Sequence, residues 1–140
     1  MLNKISDLLS AILSLLEQKH LLAKDYQQHL LYERLQNGIS EDIDRIKEIA
    51  LACGYNEEIA DAKQSLANAK TILEQTDDLF TLMQKTIKEI NIVIETLNKT
   101  ENEQIEGTFD QFQCKEGIIN MLGDIAEKRI RDIYLLRFLK

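Results

Sequence analysis

The chain has 140 residues, with 24 acidic against 17 basic side chains, a formal net charge of −7, no proline and no tryptophan. That length fits a single domain, 1–140, whose core must be built from Leu and Ile. The negative balance argues against wrapping a phosphate backbone, which needs clustered Lys and Arg, so direct nucleic-acid binding is not expected; nor does any apolar run reach the length of a membrane span.

A first helix is predicted from near Asn3 or Ser6 to about Leu35. Leu2, Ile5, Leu9, Ile12 and Leu16 recur at steps of three and four, and Leu8, Leu15 and Leu22 widen that stripe. The apolar stretch 8–16 imitates a signal peptide, but Asp7, Ser10 and Ser14 interrupt it, no small-x-small cleavage site follows, and the same residues fit a helical stripe. Asn37 and Gly38 read as the stop, because both tolerate left-handed backbone, and Gly38→Ala is then expected to destabilise. Ser40 should cap a short second helix with Ile39, Ile43, Ile46, Ile49 and Ala50 on its apolar face. Gly54 should end it.

Asn56 is predicted to open a third helix running unbroken over 57–99. Its seam reads Ile59, Ala62, Leu66, Ala69, Leu73, Thr76, Phe80, Met83, Ile87, Ile90, Ile94 and Leu97. Such a 3.5-residue period is that of a left-handed coiled coil. Ile87 and Ile90 should be core residues, and Thr76 the weak point, where valine would stabilise a dry seam. Residues 99–106 read as a loop. Thr108 and Gln111 match a capping box at the head of a fourth helix that runs to the chain end. The expected fold class is all-α, an elongated antiparallel bundle with coiled-coil-like packing, three long helices and one short.

Few residues point to chemistry. The chain has two histidines, His20 and His29, which on one continuous helix would stand about 13 Å apart along its axis. They could share a metal only if a second helix supplied the remaining ligands, so no metal site is expected. The five glycines stand singly and make no phosphate-cradling loop. No nucleophile–base signature stands out, and no cofactor is implied. Cys53 and Cys114 lack metal spacing and are expected to be reduced thiols of a cytoplasmic protein. The chain reads as a non-enzyme.

Charge and apolar residues are unevenly spread. Glu41, Asp42, Asp44, Glu48, Glu57, Glu58 and Asp61 cluster in 41–61, whereas 127–140 is basic. Acids at helix starts and bases at helix ends match the helix dipole, and the same asymmetry would give a bipolar surface. Ile133, Tyr134, Leu135, Leu136, Phe138 and Leu139 crowd the last turns beyond what one helix face can hide. These observations favour a protein–protein interaction module: an adaptor, assembly factor or export-chaperone-like protein working through helix–helix contacts with a partner or a second copy. Arg131, Tyr134, Leu135, Arg137, Phe138 and Leu139 are its candidate contact residues. The alternative is a small acidic inhibitor or nucleic-acid mimic, of phage or mobile-element type, that presents the 41–61 acids to a basic groove.

Overall fold

The structure, a computed structural model, describes residues 1–56, 59, 61–99 and 111–139, with the backbone alone for 111–113. These residues form five α-helices and no strand: α1 (Leu2–Leu21), α2 (Tyr26–Ala52), α3 (Ala62–Gln75), α4 (Leu79–Lys99) and α5 (Gln111–Leu136), followed by a 3₁₀ turn (Arg137–Leu139). The expected loop over 99–106 and the Thr108 cap lie almost wholly outside the described residues.

Three aspartates set breaks that differ from the predicted ones. The Asp25 carboxylate accepts from the Gln28 N–H at 2.8 Å, while the Gln28 side chain accepts from the Lys24 N–H at 3.1 Å. This reciprocal cap, an Asp followed three residues later by Gln, starts α2 and folds it back on α1. The first helix therefore stops at Leu21 rather than running to Leu35. Asp61 caps α3 in the same way, accepting from the Gln64 N–H at 2.8 Å. Asp78 accepts from both the N–H and the hydroxyl of Thr81 at the head of α4.

The predicted 57–99 helix is thus divided. Thr76 ends α3 in extended backbone (φ −159°, ψ 136°), and its hydroxyl accepts from the Asp78 N–H at 3.3 Å. The expectation for Thr76→Val reverses, since the hydroxyl supports a turn and occupies no helical seam. In α4 the buried line is Leu79, Leu82, Met83, Thr86, Ile90, Val93 and Leu97. Met83, Ile90 and Leu97 belong to the predicted seam, while Phe80, Ile87 and Ile94 are half-buried beside it. Two stripes share those three residues, and the sequence favours the one with isoleucine at 87 over threonine at 86. Thr86 is buried nonetheless, because its hydroxyl donates to the Leu82 carbonyl at 2.8 Å and leaves no unmet polar group.

Gly38 lies inside α2, a correction to its reading as a helix stop. Leu35, Ile39, Ile43, Ile46 and Ala50 make one buried line along α2. Several buried aliphatic side chains, each contributing about 1.5–3 kcal/mol, outweigh the cost of about 1 kcal/mol for one internal glycine. Gly54 ends the helix as predicted. Its φ is 80°, its N–H donates to the Leu51 carbonyl, and the Tyr55 N–H donates to the Ala50 carbonyl at 2.8 Å. This is the paired closure that a glycine in left-handed backbone permits.

α1 packs against α2, α3 and α4, and α5 packs against α4 and α2. α2 and α5 run antiparallel, as the pairs Asp42–Arg129, Arg45–Asp124 and Cys53–Cys114 require. Cys53 and Cys114 form a disulfide with Cα atoms 5.8 Å apart, which corrects the expectation of free thiols. Antiparallel packing brings the C-terminal end of α2 against the first turn of α5, a proximity that a separation of 61 residues does not announce.

Candidate functional site

The acidic and basic stretches of the sequence meet across the α2–α5 seam. Asp42 is 0% exposed, and one of its carboxylate oxygens accepts from Arg129 Nη1 at 2.8 Å. The other accepts from Lys128 Nζ at 3.3 Å. Arg129, 1% exposed, also donates from Nε to Asp132 at 2.9 Å. Nearby, Arg45 donates to Asp124 at 2.7 Å. Asp42 is therefore an internal counter-ion and no member of an acidic surface.

Two carboxyls in this seam are shifted in opposite directions. Burial pushes Asp132 above the ordinary carboxylate range, and Arg129 offsets this only in part. The hydrogen bond from Arg45 holds Asp124 below that range. Glu41, Asp44 and Glu48 remain exposed on α2, and Asp61 is occupied as the cap of α3. Glu57 and Glu58 lie outside the described residues. The bipolar charge pattern is thus partly neutralised within the fold.

Beyond the ion pairs, α5 turns an apolar stripe to solvent. Tyr134 is 59% exposed and Phe138 69%, with ring centroids 5.1 Å apart in an edge-on contact at 89°. Ile130, one turn earlier, is 56% exposed. The residues at 130, 134 and 138 recur at four-residue intervals and share one side of the helix and its terminal turn. Ile130 was not among the candidates, although its place four residues before Tyr134 marks it in the sequence. Leu139 packs against the core and Leu136 is buried, so the terminal apolar residues divide between the two roles.

Arg131 and Arg137 are exposed beside the stripe. Leu135 is half-buried and lines a groove of about 630 Å³ between α2 and α5, together with Tyr134, Arg131, Arg34, Asn37 and Glu41. Gly38 helps to line the groove, and a Cβ there would sit 4.0 Å from Arg129 Nη2. Arg131, Tyr134 and Leu135 thus line one groove, Phe138 meets Tyr134 edge-on, and Arg137 is exposed in the terminal turn.

At the start of α2, the turn over 22–25 brings together residues that the sequence holds apart. The Nε2 atoms of His20 and His29 are 3.2 Å apart, and the two rings lie 4.0 Å apart between centroids. Glu33 places a carboxylate oxygen within 4.8 Å of both. The separation of about 13 Å expected on a continuous helix disappears once α2 folds back on α1. Among the described residues, no helix is long and apolar enough to cross a membrane. Comparison with known proteins finds no matching family model, curated relative or solved structure.

Proposed function

We propose that this chain is a non-enzymatic protein-interaction module that receives an amphipathic partner helix along the exposed face of α5. The observation that supports this reading is the stripe of Ile130, Tyr134 and Phe138, left in solvent beside a core that takes in Leu136 and Leu139. Aromatic and aliphatic anchors edged by arginine have the composition of interface centres. Helix-in-groove recognition reads such anchors at i and i+4 intervals. Arg34, Arg131 and Arg137, exposed around the groove and stripe, select a partner helix with acidic residues along its apolar face.

The test places a photo-crosslinking side chain at position 134 of the full chain in its source cell. Crosslinking to one discrete protein through an acidic amphipathic segment, lost in Arg131→Glu/Arg137→Glu, is the expected result. Sedimentation of the purified chain identifies self-association as the competing outcome. Crosslinks that are absent, or that the charge reversal leaves unchanged, overturn the reading.

A further inference from the structure

We propose that His20, His29 and Glu33 form a binding site for one divalent transition-metal ion of the zinc class, clipped across the α1–α2 turn. The three ligands come from two helices. His20 lies in the last turn of α1, and His29 and Glu33 stand four residues apart on one side of α2. The capped reversal at Asp25 sets their relation, because it fixes where α2 starts and how it returns along α1.

The distances fit the ion. Two imidazole nitrogens bound to one tetrahedral zinc at about 2.0–2.1 Å stand about 3.3 Å apart. His20 Nε2 and His29 Nε2 are separated by 3.2 Å, close to that spacing, and a small rotation of the two rings, whose centroids lie 4.0 Å apart, would aim both lone pairs at one ion. The Glu33 oxygen lies within 4.8 Å of them and has a short distance to close. Its side chain is exposed, and a change of rotamer makes that movement without disturbing the core.

Ligand chemistry selects the class of ion. Calcium and magnesium take oxygen ligands, whereas two imidazoles and one carboxylate suit zinc, copper, nickel or cobalt. Three protein ligands leave a fourth position open to solvent, since His29 and Glu33 are exposed and His20 is half-buried. The net charge of −7 favours the approach of a cation. Without a metal, the same contact is a hydrogen bond in which one imidazole nitrogen donates and the other accepts. An exposed bond of that kind adds little to stability, so it supplies no strong reason for both Nε2 atoms to converge. An ion that binds only the folded arrangement would tie the end of α1 to the start of α2 and stabilise the chain by mass action.

The experiment is a zinc titration of the untagged full chain by calorimetry, with visible absorption of bound cobalt as a second readout. One ion per chain is expected, together with a higher thermal midpoint in zinc. His20→Gln and His29→Gln should each weaken binding at least tenfold, and Glu33→Gln severalfold, with helical circular dichroism unchanged. The rise in thermal midpoint should vanish in the double histidine variant. No binding below millimolar zinc, or binding that survives both histidine substitutions, overturns the assignment.

Discussion

The α2–α5 seam and the α1–α2 turn each assemble titratable side chains, and burial separates what the two assemblies can do. In the seam, Asp42 and Arg129 are fully enclosed and face each other, with Lys128 and Asp132 completing the set. Their charges are spent on one another, so the cluster orients helices and has little capacity for an external ligand. At the turn, His20, His29 and Glu33 converge at the surface, with His29 and Glu33 exposed. Neither cluster is visible as a motif in the sequence. The seam is architecture, and the turn retains coordinating capacity.

The strongest way to break this contrast is to remove Asp42. Asp42→Ala strands Arg129 without its buried counter-ion and should cost about 3–5 kcal/mol in chemical denaturation. A loss below about 1 kcal/mol would show that the seam tolerates unpaired charge as an exposed pair does. Reducing the Cys53–Cys114 bond should come next, at about 2–4 kcal/mol, because it releases a loop that constrains the unfolded chain. Denaturation with and without reductant reads this directly, and an unchanged midpoint would remove the disulfide from the account of the seam.

Asp25→Ala probes the turn. Loss of its cap should lower stability by about 1 kcal/mol and should weaken zinc binding, because the His20–His29 approach depends on that reversal. Gly38→Ala, inside α2, should stabilise by about 0.5–1 kcal/mol in thermal melts, since its backbone is helical and a Cβ would meet Arg129 Nη2 only at 4.0 Å. Destabilisation there would mean that the groove needs the glycine for close approach.

The smallest effect is also the most specific. By carboxyl NMR, Asp132 should titrate above the ordinary range and Asp124 below it. For Asp124, whose folded value is lowered, the contribution to stability is present above the unfolded value and is lost as pH falls through the folded one. For Asp132 the sign is opposite: the folded chain holds its proton more tightly, so its contribution declines as pH rises through the window above 3.8. Coincident titrations would show that burial does not distinguish the two ends of the seam.

The sequence by itself determined the helical class, the aliphatic stripe of α1, the stop at Gly54 and the excess of apolar residues at the C-terminus. These are local properties: a period, a left-handed glycine, and more apolar side chains than one face can cover. Asp25, Asp61 and Asp78 were equally local signals, each followed three residues later by Gln or Thr, but the apolar period across them masked the breaks. Only tertiary packing decided that α2 passes through Gly38, that Asp42 turns inward to Arg129, and that Cys53 meets Cys114. Packing likewise decided that His20 meets His29 and that Tyr134 and Phe138 remain outside while Leu136 goes in. In each case the deciding quantity was the burial or proximity conferred by a second helix, and a periodic pattern on one helix does not specify which neighbour will cover it.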